Sequence, residues 1–93
     1  AQVLYAASTG SDTLGALMHD NLVAYLDPQN RRVAAPISDK IYLMREVKCP
    51  AVLVECGFLS NREEAKKLET EEYQDRLAWT LHMGIMEYLN QNQ

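Results

Sequence analysis

Long hydrophobic runs are absent from this 93-residue sequence, whose apolar stretches, such as residues 51–54, are only a few residues long. A membrane-spanning helix needs roughly 20 consecutive apolar residues, so none is expected. An excess of basic charge is also absent, because nine Lys and Arg stand against thirteen Asp and Glu. Nucleic acid and anionic lipid are therefore poor candidates for partners. The hydrophobic content of 47% is enough for one small globular core.

Cysteine is scarce, and the two present, Cys49 and Cys56, flank one apolar run. If that run is extended, seven residues at about 3.3 Å each separate the two thiols by roughly 23 Å. A disulfide needs Cα atoms within about 7 Å, so we predict two separate thiols, buried or half-buried. No C-x-x-C spacing and no neighbouring histidine indicates a metal or redox site here.

The ends of the sequence differ in character. Residues 1–7 contain no Met and no charged leader and are strand-like from the start, which is typical of a piece of a longer chain. Residues 90–93 are all Asn or Gln, so we expect a frayed natural C-terminus.

The N-terminal half predicts short strands around one helix. Leu and other apolar residues at three- and four-residue spacing indicate a helix over residues 11–26, with Ser11 or Asp12 as its N-cap. Residues 3–5 and 41–44 are β-prone, and residues 31–40 between them are expected to be irregular. Residues 50–55 are apolar on both faces, which is typical of a central strand covered by helices on both sides.

The C-terminal third predicts two helices. Asn61 is a suitable N-cap for the first, and Glu64 completes a capping-box pattern. Thr70 opens the second, with acidic residues at the positive end of the helix dipole. We expect its core stripe to comprise Tyr73, Leu77, Leu81, Ile85, Tyr88 and Leu89.

Glu55 is the candidate functional residue, because it is a carboxylate at the carboxyl end of the most buried strand and precedes a Cys-Gly turn. In open α/β sheets, ligands bind outside the carboxyl ends of the strands. A charge at such a place is paired, bound to a metal or functional. The structural alternative is a carboxylate that only caps the strand or pairs with Arg45 or Lys48.

The residues around Glu55 resemble a known family. Residues 49–61 read CPAVLVECGFLSN and continue as REEA, which is similar to the C-terminal signature of the zinc-dependent N-acetylmuramoyl-L-alanine amidases. The resemblance extends upstream through residues 35–45 and downstream through the last helix. It is closest to the sporulation and germination members of these bacterial, secreted cell-wall hydrolases and autolysins. Arg62 departs from the proline that the family often has at that position.

The resemblance implies an α/β fold in which residues 1–93 form the C-terminal part of one catalytic domain. About three strands and three helices of a mixed, helix-covered sheet are then expected here. Glu55 matches the family's catalytic glutamate, the general acid/base beside a zinc-bound water. The family's zinc ligands, two histidines and a glutamate, match no position of this sequence and are expected upstream of Ala1. His19 and His82 are 63 residues apart and are interpreted as surface or boundary histidines.

The resemblance implies hydrolysis of the amide between N-acetylmuramic acid and L-alanine of peptidoglycan, at the cell envelope of a bacterium. Arg45 is a further candidate, which could meet the peptide carboxylate of the substrate. The alternative is a non-catalytic peptidoglycan-binding or interaction fragment without the metal site. Without the rest of the sheet, exposed apolar surface and unpaired strand edges predict self-association of the isolated chain.

Overall fold

Three short strands form one sheet in the computed structural model, which describes residues 1–91: β1 (Gln2–Tyr5), β2 (Ala35–Pro36) and β3 (Val52–Glu55). Strand β1 is central, with β2 parallel to it on one side and β3 antiparallel on the other. Four helices accompany the sheet: α1 (Ser11–Tyr25), α2 (Tyr42–Glu46), α3 (Arg62–Leu68) and α4 (Glu71–Gln91). The mixed α/β class expected from the sequence is confirmed.

The two faces of the sheet differ because side chains alternate along each strand. Val3 is fully buried against α1, and its cross-strand partner Val54 packs on the same core. The neighbouring pairs, Leu4 with Leu53 and Gln2 with Glu55, belong to the opposite face. Leu53 is 40% exposed, so this second face is open in the chain.

Helix α1 forms the centre of the core, where it lies between the sheet and α4. Its buried side chains Leu14, Met18 and Leu22 recur at four-residue spacing, as the sequence pattern predicts. Helix α4 approaches closely at Gly84, where a Cβ would lie 2.8 Å from the Met18 sulfur. No helix among the described residues is long and apolar enough to cross a membrane.

The predicted strand over residues 41–44 is wrong, because this segment forms α2. The N–H of Arg45 donates to the Ile41 carbonyl at 3.0 Å, and only Met44 is buried. Periodicity cannot distinguish a strand from a helix in so short an apolar run, and Leu, Met, Arg and Glu are all good helix formers. The prediction of irregular structure over residues 31–40 is also wrong in part, because β2 lies within it.

The prediction of a central strand over residues 50–55 is wrong for the described sheet, in which β3 is an edge strand. The run is apolar on both faces because Val52 and Val54 pack on the core while Leu53 lies on the open face. The cysteines are both free, as predicted, but Cys49 is exposed rather than buried or half-buried.

Helix α1 begins differently from the prediction. Gly10, not Ser11 or Asp12, is the N-cap, and it makes no side-chain cap hydrogen bond. Ser11 is instead fully buried, and its hydroxyl accepts from the Ala51 N–H at 3.0 Å and bonds the Ser8 hydroxyl at 2.8 Å. This serine therefore ties the start of α1 to the residue before β3.

The core stripe of α4 is confirmed for four of its six predicted residues. Leu77 is buried, and Tyr73, Leu81 and Tyr88 pack against the core. Ile85 and Leu89 are 47% and 49% exposed, so their assignment to the core is wrong. The core face instead includes the buried residues Thr80 and Gly84. Of the predicted frayed tail, residues 90–91 are helical and residues 92–93 lie outside the described residues.

Gly10→Ala is expected to lower the free energy of unfolding by about 1–3 kcal/mol. Gly10 has a φ of 89°, a region that costs other residues energy, and a Cβ here would meet the Tyr88 hydroxyl and lie 3.2 Å from Pro50 Cγ. Thermal unfolding measures the effect, with the exposed neighbour Thr9 changed to alanine as the control. An unchanged Tm for Gly10→Ala would contradict the packing of α4 on this turn.

Candidate active site

Glu55 is the last residue of β3, as the sequence predicts, and lies opposite Gln2 of β1. Because β3 runs antiparallel to β1, Glu55 lies at the sheet edge where β1 begins, not beside the carboxyl ends of β1 and β2. Its side chain belongs to the open face of the sheet, with Leu53.

Glu55 is half-buried as a residue, and its carboxylate makes no hydrogen bond or ion pair with any residue of the described range 1–91. The structural alternative, pairing with Arg45 or Lys48, is not observed. A carboxylate held at a strand end without a protein partner is free to accept a proton or a hydrogen bond from a bound molecule.

Arg45 is the second candidate from the sequence, and the structure places it on α2 rather than at the end of a strand. Its guanidinium lies 5.2 Å from the Tyr42 ring centre and 4.0 Å from Glu46. The chain then enters β3 at Val52 and reaches Glu55 three residues later, about 10 Å further along the strand. The described contacts do not join Arg45 and Glu55.

The histidines lie on separate helices. His19 is half-buried in α1, and His82 is exposed in α4. Among residues 1–91, no group of three or more His, Cys, Asp or Glu side chains is arranged to hold a metal ion. A catalytic zinc site needs three protein ligands, so the described residues do not by themselves fit the zinc that the family resemblance implies.

The loop after Glu55 is fastened to the start of α3. The Phe58 N–H donates to Glu64 Oε2 at 2.7 Å, and the Asn61 N–H donates to the Phe58 carbonyl at 2.9 Å. Asn61 caps α3 as predicted, because its side-chain oxygen accepts from the N–H groups of Glu63 and Glu64. The reciprocal half of the predicted capping box is not formed, since Glu64 binds Phe58 instead.

Arg32 completes this loop contact from a distant part of the chain. Its Nη1 donates to Glu64 Oε1 at 2.7 Å, and its guanidinium lies 4.6 Å from the centre of the Phe58 ring. Arg32 was not among the residues predicted from the sequence. The basic pair at positions 31–32 was the available signal, but nothing local indicates a partner 32 residues away.

A cavity of about 510 Å³ opens beside Arg32 and Glu64. Its lining carries charges of both signs and does not include Glu55. Among the lining residues are Asp27, Asn30, Arg32, Glu63, Glu64 and Lys67. Asp27 accepts a hydrogen bond from the Tyr73 hydroxyl at 2.8 Å and lies 3.6 Å from the Lys67 ammonium. Burial, together with this hydrogen bond to Asp27, raises the pKa of the Tyr73 phenol.

The pKa of the Glu64 carboxyl group is lowered by its contacts. Burial by itself raises the pKa of its carboxyl group, but the Phe58 N–H and the Arg32 guanidinium outweigh burial and hold the pKa below its ordinary value of 4.5. Glu64 is therefore ionised at neutral pH and keeps both contacts.

Glu64→Gln is expected to reduce the acid sensitivity of the fold. A carboxyl whose pKa is lower in the folded state adds stability above its unfolded pKa, near 4.5, and loses it as pH falls through the lower folded pKa. The substitution should cost about 1 kcal/mol at pH 7 and progressively less below pH 4.5. Urea unfolding at pH 7 and at a pH below 4.5 measures the free energy of unfolding of both proteins. Glu63→Gln is the control, and a cost that does not change with pH would contradict the assignment.

The fold is a mixed α/β arrangement of three strands and four helices over residues 1–91, and comparison with solved structures gives its class. The CwlD amidase from Clostridioides difficile, solved in complex with the GerS lipoprotein, matches with a TM-score of 0.89 and 39% identity over 96% of this chain and 45% of that one. The amidase AmiC2 of Nostoc punctiforme matches with a TM-score of 0.81 and 28% identity over 96% and 47%.

Residues 1–87 match the family described as N-acetylmuramoyl-L-alanine amidase (Amidase_3), and the chain belongs to that family. The germination-specific N-acetylmuramoyl-L-alanine amidase of Bacillus subtilis is 45% identical over 51 residues, which are 55% of this chain and 22% of that protein. The resemblance carried by residues 49–65 is thus confirmed, and a germination-specific enzyme is among the relatives. The chain spans less than half the length of the two solved amidases.

Proposed function

We propose that the whole protein containing this chain hydrolyses the amide bond between N-acetylmuramic acid and L-alanine of peptidoglycan, with Glu55 as the general acid/base. The observation that carries the proposal is the half-buried Glu55 at the end of β3, within the segment that resembles the family's catalytic signature. Its carboxylate has no hydrogen-bond or ion-pair partner among residues 1–91. The cell wall is then the substrate, and the bacterial cell envelope is the place of action.

Glu55 would act on the two protons that amide hydrolysis must move. Its carboxylate accepts a proton from the water whose oxygen attacks the amide carbonyl carbon. When the carbon–nitrogen bond breaks, the same residue delivers a proton to the leaving nitrogen of L-alanine. The products are a muramic acid carboxyl group and a peptide with a free amino terminus.

Zinc is the cofactor that family membership implies, and residues 1–91 contain no group of three or more His, Cys, Asp or Glu side chains that could hold it. We therefore propose that its ligands belong to a part of the protein outside this chain. The open sheet face beside Glu55 supports this arrangement, because a carboxylate there can face a site that another segment builds. Arg45 stays a proposal for binding the peptide carboxylate of the substrate. Its exposed guanidinium lies near the Tyr42 ring and Glu46.

Analysis of the reaction products tests the proposed activity. Purified peptidoglycan is incubated with the full-length protein, and mass spectrometry of the soluble fraction identifies the bond that is cut. Release of stem peptides with free amino-terminal L-alanine, and glycan strands without peptides, supports the proposal. Cleavage only between sugars or only within the peptide would refute it.

The alternative is that this chain is a non-catalytic peptidoglycan-binding or interaction fragment. The absence of a three-donor metal group among residues 1–91 favours it for the chain in isolation. Co-sedimentation with peptidoglycan distinguishes the two. Saturable binding by the full-length protein without release of any product would favour the alternative.

We further propose that the isolated 93-residue chain self-associates. Strand β3 is an edge strand in the described sheet, and its residue Leu53 is 40% exposed. An exposed apolar edge is a template for pairing with another chain. Sedimentation of the isolated chain at several concentrations should show dimers or larger species, and a monomer at every concentration would contradict the proposal.

A further inference from the structure

We infer that Glu64 is a positioning residue for Glu55, acting through the Phe58 backbone and braced by Arg32. The inference rests on the proposed role of Glu55 in catalysis. It assigns to Glu64 no contact with the substrate, only control over where the end of β3 lies.

The first support is the short distance along the chain between Glu55 and the Glu64 contact. Only Cys56 and Gly57 separate Glu55 from Phe58, whose N–H donates to Glu64 Oε2 at 2.7 Å. Since the Phe58 carbonyl also accepts from the Asn61 N–H, both backbone groups of this residue are fixed to the start of α3. The strand end thus has a fixed point three residues beyond Glu55.

The second support is the packing of Gly57 against α3. A Cβ at this position would lie 3.0 Å from Leu68 Cδ1 and 3.2 Å from Glu64 Cβ. The backbone between Glu55 and Phe58 therefore lies directly on the helix that carries Glu64. Any shift of Glu64 is transmitted to this segment by contact.

The third support is that the same network also reaches the other side of Glu55. Arg32, which donates to Glu64 Oε1, is joined through its N–H to the Asn30 side-chain oxygen at 3.0 Å. The Asn30 amide nitrogen donates to the Ala1 carbonyl at 2.8 Å, next to Gln2, the cross-strand partner of Glu55. Strand β1 and the loop after β3 are thus held by one chain of polar contacts.

The charge of Glu64 strengthens this arrangement. An ionised carboxylate makes shorter and stronger hydrogen bonds than a neutral acceptor, and its two oxygens bind Phe58 and Arg32 separately. The Arg32 guanidinium also lies 4.6 Å from the centre of the Phe58 ring. Arg32 therefore restrains both Glu64 and Phe58. Misplacement of a catalytic group by about 1 Å can cost about 10²-fold in rate.

The experiment compares variants of the zinc-loaded full-length protein on a soluble N-acetylmuramoyl peptide. Glu64→Ala should lower kcat about 10- to 100-fold and leave KM within about twofold, because the substrate does not touch this residue. Glu64→Gln should restore most of kcat, since its amide oxygen still accepts from the Phe58 N–H. Equal losses for the two variants, or an unchanged kcat for Glu64→Ala, would overturn the inference.

Two controls separate positioning from general stability. Asn61→Ala removes the cap of α3 and lowers the Tm but leaves the Phe58–Glu64 contact, so kcat of the folded protein should stay near that of the wild type. Glu63→Gln removes the neighbouring charge, and among residues 1–91 the Glu63 carboxylate makes no hydrogen bond or ion pair. A loss of kcat in Asn61→Ala as large as in Glu64→Ala would overturn the inference.

If Glu64→Ala does not fold, Gly57→Ala provides the same test without changing Glu64. Its Cβ should displace the segment from α3 and lower kcat by the same order, whereas an unchanged kcat overturns the inference. A different result would show that the proposed function itself is wrong. In that case Glu55→Gln keeps its activity, whatever the Glu64 variants do.

Discussion

Glu55→Gln is expected to lower kcat of the full-length protein by about 10²–10⁴-fold, the contribution typical of a general acid/base. Glutamine has the same shape but does not accept a proton at neutral pH. Because the Glu55 carboxylate makes no hydrogen bond or ion pair within residues 1–91, the substitution leaves no described partner unsatisfied. The Tm and the zinc content should therefore stay close to those of the wild type. Release of L-alanine-terminated peptides measures the rate.

The matched control for this substitution is Glu69→Gln, which removes an exposed carboxylate after the end of α3. Its activity should equal that of the wild type. More than a tenth of the wild-type rate in Glu55→Gln would show that another group moves the protons. A loss of zinc in that variant would instead indicate that Glu55 is a ligand rather than the general base.

The isolated 93-residue chain is expected to bind no stoichiometric zinc and to release no peptide from peptidoglycan. A catalytic zinc needs three protein ligands in tetrahedral array, and residues 1–91 contain no group of three suitable donors. His19 and His82 lie on different helices, α1 and α4. One carboxylate without preorganised imidazoles should bind zinc only weakly.

Metal analysis after dialysis measures the zinc content of this chain, with the full-length protein treated in parallel as the positive control. The peptide-release assay on the same two samples gives the activity. One zinc per isolated chain, or amidase activity from it, would contradict the prediction. Loss of zinc from the full-length protein in the same dialysis would show that the conditions remove bound zinc. Both samples would then be dialysed under milder conditions and compared again.

Most of the helices and the candidate catalytic residue could be predicted from the order of the residues alone. Helix caps and three- and four-residue periodicity are local properties, so α1, α3 and α4 could be located within a few residues. Asn61 caps α3 as expected, and Leu14, Met18 and Leu22 are buried. Glu55 could be found because a charge at the end of an apolar run is conspicuous and the surrounding residues resemble one family.

The arrangement of the strands could not be predicted in this way, because it depends on contacts between distant segments. Residues 41–44 are too few for periodicity to distinguish a strand from a helix. They form part of α2, in which Met44 is the one buried residue. The antiparallel direction of β3 depends on the path of the chain through α2, which no local pattern encodes. That direction places Glu55 opposite Gln2, at the edge where β1 begins, and separates it from Arg45.

The loop contact at Glu64 shows the same limit in the candidate site. The sequence pattern assigns Glu64 to a capping box, because Asn61 lies three residues before it. In the folded chain, Phe58 and Arg32 bind this carboxylate instead, from positions 6 and 32 residues away. A cap is a contact between neighbours in sequence and can be predicted locally, whereas the choice of partner for a charged side chain depends on which distant segments the fold brings within hydrogen-bond distance.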